Sequence, residues 1–365
     1  MAKTIFILGA GASKEAGAPL MNEFLDVARD LYSSGWIKKE EDKKAFEMVF
    51  KAINSLRISH YKSYIDLDNI EAVFGAFEMA KLLSGTANYT EKQINDLIAS
   101  IKVVIAKTLE LKMKYLLVGK NELHSPAYTE FAELILKLGN EGGRYFTSIL
   151  TFNYDLGLDL ALHNCGVRID YCLPNDNDKG SFKLLKLHGS LNWGRCDRKE
   201  CNLIIPLHLK RYLERFYENK WFTDDRLATL DVSAHLFNFS HFGCGGYLRG
   251  GPVIVPPTWN KTEYHSTLRE VWAQAGRELA DAENIIVVGY SHPISDSFFR
   301  YLFALGSVGD ATIERFWVFD PAEGDEIERR YKELIGTGID KRFQMFRKPF
   351  SEAVGIIGNE LKKAG

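Results

Sequence analysis

Short apolar runs that stop at glycine or at a polar side chain alternate with stretches of helical period along much of this chain. Thr4-Ile-Phe-Ile-Leu8 is unbroken, apolar and ends at Gly9, the pattern of a strand buried on both faces of a parallel sheet. Similar runs recur at Tyr145 to Phe152, Lys183 to Leu187, Pro252 to Val255, Asn284 to Val288 and Arg315 to Phe319. Helical spacing fills several of the gaps: from Tyr264 to Ala282, for example, Leu268, Val271, Trp272, Ala275 and Leu279 share one face. This alternation predicts an α/β fold built on a doubly wound, mostly parallel, Rossmann-like sheet.

Between the first two of these strands the period is helical throughout. Ile70, Val73, Phe74, Phe77 and Ala80 form one stripe, with Asp68 and Glu71 placed to cap and charge its start. Ile94, Leu97, Ile98, Ile101, Val104 and Ile105 form a second. A third has Ser125 as N-cap and Pro126 at the first helical position, then Tyr128, Phe131, Leu134, Ile135 and Leu138, and stops at Gly139. No Pro/Gly/Ser-rich linker flanks these stripes, so residues 21–142 read as a large helical insertion. Residues 1–20 and 143–365 then form the sheet domain. Residues 195–250 read as a second, irregular insert, with a charged aromatic stretch (Lys210 to Trp221) and a cluster of Gly243, Gly245, Gly246, Gly250 and Gly251.

Composition narrows the function classes. The 365 residues carry a formal net charge of -2, which points to neither nucleic acid nor an anionic membrane. The basic residues Lys210, Arg211, Arg215 and Lys220 are interrupted by Glu214 and Glu218 at helical spacing, as on a solvated or subunit-facing helix. No apolar run reaches the roughly 18 residues that span a bilayer, and the N-terminus opens on a strand rather than a signal peptide. A cytoplasmic enzyme is expected. Its five cysteines suit free thiols better than a disulfide framework.

Candidate chemistry sits at three strand ends. Gly9-Ala10-Gly11-Ala12-Ser13 is a turn whose backbone could approach a pyrophosphate closely, with Ser13 adding a hydroxyl. Lys14 falls where G-x-G-x-x-G requires its third glycine, and no G-K-[ST] follows, so neither a hydride-transfer fingerprint nor a P-loop is present. In Thr151-Phe-Asn153-Tyr-Asp155 the amide and the acid alternate with aromatics, so both point the same way on an extended backbone. Leu187-His188-Gly189-Ser190 ends the next strand. Each residue also has a plain structural reading: a packing turn for the glycines, a helix cap for Asn153 or Asp155, a hydrogen-bonded histidine for His188.

In order and in kind, these segments resemble the sirtuins, which show a Gly-Ala-Gly-x-Ser turn, a Thr-Gln-Asn-Ile-Asp strand end and a His-Gly. Val253-Ile-Val255-Pro-Pro257, Gly289-Tyr290-Ser291 and Asp320 follow in family order. The likeness covers roughly residues 1–20 and 143–350 and leaves the helical insertion out. Two departures stand out. Protein-deacylating sirtuins have Gly-Ile-Pro-Asp-Phe-Arg after the turn, whereas Gly17-Ala18-Pro19 here runs into Leu20-Met21-Asn22. Deacylases also carry two C-x-x-C pairs that hold structural zinc. Cys196 and Cys201 are spaced more widely, followed by Cys244, with His208 and His241 as possible extra ligands. Free buried thiols are the favoured reading, and no metal is expected.

The resemblance is to the prokaryotic sirtuin-like NAD+ hydrolases of antiviral defence. It implies NAD+ as substrate, cleavage to nicotinamide and linear or cyclic ADP-ribose, a homo-oligomer, and a partner such as a HerA-type ATPase or another phage-sensing protein. It assigns the pyrophosphate to the Gly9–Ser13 turn, chiefly Gly11, Ala12 and Ser13, with Gly289 and Ser291 near the phosphates or the adenosine ribose. Asn153 is expected on a ribose hydroxyl or the attacking water, Asp155 on the nicotinamide carboxamide, His188 as general base and Asp320 on the adenosine ribose. A deacylase or ADP-ribosyltransferase is the alternative, and a non-catalytic NAD or ADP-ribose sensor the second.

Overall fold

The computed structural model describes residues 2–57, 64–84, 89–118, 122–140, 145–174, 176, 180–201, 203–215, 227–241, 243–255, 262–293 and 296–363. In chain order the elements are β1 (Ala2–Leu8), α1 (Ala10–Lys14), α2 (Phe24–Ser33), α3 (Glu40–Arg57), α4 (Ile70–Leu82), α5 (Glu91–Lys112), β2 (Tyr115–Val118), β3 (Glu122–His124), α6 (Pro126–Asn140), β4 (Tyr145–Thr151), α7 (Gly157–Asn164), β5 (Ile169–Asp170), β6 (Phe182–Lys186), β7 (Gly189–Cys196), β8 (Ile204–Pro206), α8 (Leu209–Arg215) and β9 (Leu227–Ala228). A 3₁₀ segment (Val232–Asn238), β10 (Leu248–Ile254), α9 (Thr262–Ala280), β11 (Asn284–Val288), α10 (Ser297–Gly306), β12 (Arg315–Phe319), α11 (Glu326–Leu334), β13 (Phe343–Phe346) and α12 (Phe350–Lys363) complete them.

The apolar runs pair as the pattern predicts. Seven strands form one sheet in the order β13-β12-β11-β1-β4-β6-β5, and every pairing in it is parallel. Both faces are covered. Phe6 meets Phe131 of α6 edge-on at 5.1 Å between centroids, and Phe131 in turn meets Phe350 of α12. Phe316 lies in the register row of Ile5, one residue out of phase with Phe6, and meets Phe303 of α10 on the opposite face. β1 connects onward toward β4 while its other neighbour, β11, connects toward β12, so the order of winding reverses between β1 and β11.

Four features differ from the sequence reading. The cap of α4 is Asn69, whose side chain accepts from the amides of Glu71 and Ala72; Asp68 lies one residue too early. Residues 21–142 are not wholly helical, because β2 and β3 form a hairpin that pairs with β9 of the second insert. The run ending at Val255 belongs to β10, which pairs antiparallel with β7 in a separate three-stranded sheet rather than joining the parallel one. β13, at the edge of the main sheet, had no apolar signature strong enough to be read. The buried side chains of both inserts and of the main sheet form one continuous core. Pro256, Pro257, residues 216–221 of the charged aromatic stretch and the expected boundary at 142/143 lie outside the described residues.

At the amino ends of the strands one buried acid ties three elements together. Glu278 of α9 meets Lys3 of β1 at 2.9 Å and Lys183 of β6 at 2.7 Å, and accepts from Gln274 at 2.6 Å. Burial alone would raise its carboxyl, but the hydrogen bonds from Lys183, Lys3 and Gln274 outweigh it and hold the group at about 2, against an ordinary 4.5. A folded-state value below the unfolded one gives stability that is present above the unfolded value and lost as pH falls through the folded one. Glu278→Gln should therefore flatten the fall in urea midpoint between about pH 4.5 and 2 relative to the parent. An identical acid limb in the two proteins would contradict this pairing.

Candidate active site

Register brings the strand ends to one level. Leu8 pairs with Thr151 on one side and Val288 on the other, Thr151 pairs with Lys186, and Val288 pairs with Phe319. The residues that follow, Gly9, Asn153, His188, Gly289 and Asp320, thus all emerge at the carboxyl edge, where winding reverses and ligands of such sheets bind. His188 ends a strand two positions from β1, on the order of 10 Å away. That is within the span of a nucleotide.

The glycines are used first for packing. The amide of Gly9 donates to Val288 O at 3.1 Å, that of Gly11 to Gly289 O at 2.9 Å and that of Ala12 to Gly9 O at 3.0 Å. A Cβ on Gly9 would lie 2.5 Å from Gly289 O, and one on Gly289, whose φ is +61°, would lie 2.4 Å from the Ala12 nitrogen. The two turns therefore touch backbone to backbone. The amides of Gly9, Gly11 and Ala12 are bonded within the protein, and Gly289 faces the first turn. Ala10 and Gly11 are the half-exposed residues of the turn.

Ser13, Asn153 and Asp155 converge, as their alternation implied, but on one another. Ser13 Oγ donates to Asp155 Oδ2 at 2.6 Å, accepts from Asn153 Nδ2 at 2.9 Å and lies 2.8 Å from the Tyr128 hydroxyl. Its single proton is spent on Asp155, so the expected hydroxyl donation from Ser13 to a phosphate is not available in this arrangement. Asp155 Oδ1 accepts from the Gly157 amide at 2.9 Å at the start of α7. Burial raises the Asp155 carboxyl, with Lys186, Ser13 and the Gly157 amide pulling against it. Asp155 is thus a buried organiser of the turn rather than a group facing open space. Asn153 is half-buried; its second amide hydrogen goes to Gly9 O at 2.8 Å, leaving its carbonyl oxygen to offer a ligand.

His188 packs edge-on to Phe152 at 5.0 Å between centroids and lies 3.5 Å, through Nε2, from Asp296 Oδ2. Its carbonyl accepts from the Val255 amide at 2.9 Å, and Trp272 of α9 holds the carbonyl of Leu187 at 3.0 Å. Ser291 is half-exposed and its carbonyl accepts from Arg330 at 3.3 Å. Asp320 accepts from the Ala322 amide at 2.9 Å; α11 begins only at Glu326, so Asp320 caps a turn and not that helix. Burial raises its carboxyl, opposed by the Ala322 amide and Arg347.

A buried polar network beneath the edge escaped the sequence reading. Lys186, 1% exposed, donates to Asp159 Oδ2 at 3.0 Å and to the Asp155 carbonyl at 2.5 Å. Tyr171 donates to the other Asp159 oxygen at 2.5 Å, and Asn192 links Tyr171 to Ser190. The signal was a lysine inside the apolar run Leu184-Leu-Lys186-Leu.

Three of the thiols are grouped with a histidine. Cys196 at the end of β7, Cys201 in the turn after it, and His241 and Cys244 before β10 place their ligand atoms within 4.8 Å of one another. Cys196 Sγ and Cys244 Sγ are 3.4 Å apart, and His241 Nδ1 is 3.3 Å from Cys201 Sγ and 3.2 Å from Cys244 Sγ. A tetrahedral zinc ion sets S and N ligands roughly 3.5–3.8 Å apart, so this donor set fits one. His208 is not part of it, being bonded to Asp176 at 2.8 Å.

The chain is similar to solved structures of Sir2 proteins. A Sir2 homologue mutant–ADP-ribose complex shares 16% identity over 99% of this chain and 92% of that one, with a TM-score of 0.41. A Sir2 homologue–NAD complex shares 16% over 99% and 90%, with a TM-score of 0.42. Sir2 bound to an inhibitor, 2′-O-acetyl-ADP-ribose and a deacetylated peptide shares 14% over 98% and 93%, with a TM-score of 0.36. No family model and no curated protein matches the chain.

The contact between the two turns has a measurable cost. Gly289→Ala combines a left-handed φ with a backbone clash and should lose about 2–4 kcal/mol in urea unfolding. Gly324→Ala, also at positive φ (+85°) but facing open space, should lose only about 1 kcal/mol. Equal losses at the two positions would mean that the turns do not need to touch.

Proposed function

We propose that this protein cleaves the nicotinamide–ribose bond of NAD+, as the effector of an antiphage defence system. The observation that carries the reading is that Asn153 and His188 emerge at one level on adjacent parallel strands, beside the glycine turn, where winding reverses. The pyrophosphate would lie against the half-exposed backbone of Ala10 and Gly11, with Ser291 and Asp320 toward the adenosine end. Asn153 would present its carbonyl to a ribose hydroxyl or to water. The bond from C1′ to the nicotinamide nitrogen breaks with its electron pair leaving on nicotinamide, water adds to C1′, and His188 takes the water's proton. Asp155 is given a positioning role through Ser13 and Asn153, in place of direct contact with the carboxamide. An oxocarbenium-like transition state needs orientation and electrostatics more than a strong nucleophile.

A homo-oligomer and a HerA-type ATPase or other phage-sensing partner belong to the same proposal. Among the described residues no helix is long and apolar enough to cross a membrane. The absence of the Asp and Arg after Pro19 favours hydrolysis over deacylation. The Cys₃His cluster favours the deacylase alternative, because deacylases carry a zinc module there. Where zinc binds, Cys196, Cys201, His241 and Cys244 would hold it in a closed, structural site that staples β7 to the loop preceding β10.

His188→Ala and Asn153→Ala should fold normally and lose NAD+ cleavage by about 10²–10⁴-fold, read as nicotinamide release by the protein with its partner or trigger present. Parent rates in either variant would end the assignment. With an acetylated peptide added, acetyl-ADP-ribose in place of peptide-independent ADP-ribose would move the function to deacylation. Elemental analysis of the purified chain should find about one zinc per chain, lost in Cys201→Ser and His241→Ala together with thermal stability. A metal-free parent of unchanged stability after zinc addition would exclude the staple.

A further inference from the structure

The helical insertion sends a buried tyrosine into the carboxyl edge of the main sheet. Tyr128 stands in the first turn of α6, 1% exposed, and packs edge-on to Phe350 of α12 at 5.1 Å between centroids. Its ring has room because α7 begins with glycine: a Cβ on Gly157 would lie 2.7 Å from it. The hydroxyl ends 2.8 Å from Ser13 Oγ, and counting protons fixes the direction of that contact. A serine hydroxyl has one proton and two lone pairs. Here the proton goes to Asp155 and one lone pair takes Asn153 Nδ2, so Tyr128 donates to the other. Burial and the Asp155 charge raise the Tyr128 hydroxyl well above its ordinary 10, against an opposing pull from Ser13 and Asn153, so its proton is there to donate.

The same contact bears on Asn153. Its amide hydrogens face two acceptors, Gly9 O at 2.8 Å and Ser13 Oγ at 2.9 Å, so a flipped amide would set oxygen against oxygen. The insertion also holds the chain just beyond α1. The Lys114 amide donates to Ala16 O at 3.1 Å, and a Cβ on Gly17 would lie 2.6 Å from Lys112 O. We infer that Tyr128 is a positioning residue lent by the helical insertion, fixing the Ser13 hydroxyl and, through it, the Asn153 amide that meets the ligand. The inference rests on the reading of Asn153 as a ligand group. It makes the insertion a working part of the site, because a shift of α6 would reach Asn153 through the Ser13 hydroxyl. It also requires that Tyr128 act on the reaction only through Ser13, so removing its hydroxyl should matter little once Ser13 has lost its oxygen.

The test is a double-mutant cycle between Tyr128→Phe, which keeps the ring over Gly157, and Ser13→Ala, in the full chain with its partner or trigger present. Tyr128→Phe should lower kcat for NAD+ cleavage about 10-fold with KM within about twofold. In the Ser13→Ala background the same change should lower kcat by less than about twofold. Parent kcat in Tyr128→Phe, or an equal fold-change in both backgrounds, overturns the inference. A second readout needs no turnover. In ¹⁵N-asparagine-labelled protein the side-chain amide signals of Asn153, assigned by their loss in Asn153→Asp, should move in Tyr128→Phe; unmoved signals in the folded variant also overturn it. If Tyr128→Phe does not fold, the ¹³Cζ resonance of Tyr128 decides: it should move in Ser13→Ala, which removes the acceptor, and an unmoved resonance counts against the relay. A parent that does not cleave NAD+ would sink the proposed activity, leaving the relay to be judged on these resonances.

Discussion

Two backbones in contact govern the carboxyl edge of this sheet. β1 and β11 run parallel to their last ladder pair, and the chain then continues as two turns that still touch, Gly11 donating to Gly289. No side chain fits between them at Gly9, Gly11 or Gly289. Because the turns are locked, whatever is bonded to either is located relative to the other. Asn153 and Ser13 hang from the first turn, and Tyr290 and, through its hydroxyl, Asp296 from the second. A site assembled from residues scattered along the chain thereby acquires one geometry.

Beneath that edge, polarity is buried but paired. Lys186, Asp159, Tyr171, Asn192 and Ser190 satisfy one another between β6, α7 and β7. Such a network adds little net stability over an apolar core, since desolvation cancels much of the Coulomb gain, but an unpartnered member would cost several kcal/mol. Its consequence here is geometric. Lys186 also holds the carbonyl of Asp155, so the end of β6 that carries His188 is fastened to the loop that carries Asn153.

The second insert shows why local pattern stops short. Cys196 and Cys201 are separated from His241 and Cys244 by a stretch whose pairing the sequence does not disclose. Only the antiparallel pairing of β7 with β10 folds that stretch back on itself and brings the four donors together. The hairpin of β2 and β3 was missed for a related reason: its partner, β9, lies in the other insert, so its stability is not local.

What the sequence determined by itself was the architecture of the main sheet and the level at which its chemistry emerges. Unbroken apolar runs such as Ile5–Leu8 and Ile285–Val288, ending at glycine, suit a strand covered on both faces, and the residue after each run then lies at the carboxyl edge. Asn153, His188 and Gly289 each follow such a run. What tertiary structure alone decided was where each polar group directs its hydrogen bonds. The Ser13 hydroxyl, the Asp155 carboxylate and the amides of the glycine turn could each have faced a ligand or one another, and that choice depends on neighbours contributed by Tyr128, Gly157 and Gly289 across long separations in sequence. Hydrophobic periodicity is a property of consecutive residues, whereas hydrogen-bond satisfaction is a property of whichever residues the fold makes adjacent.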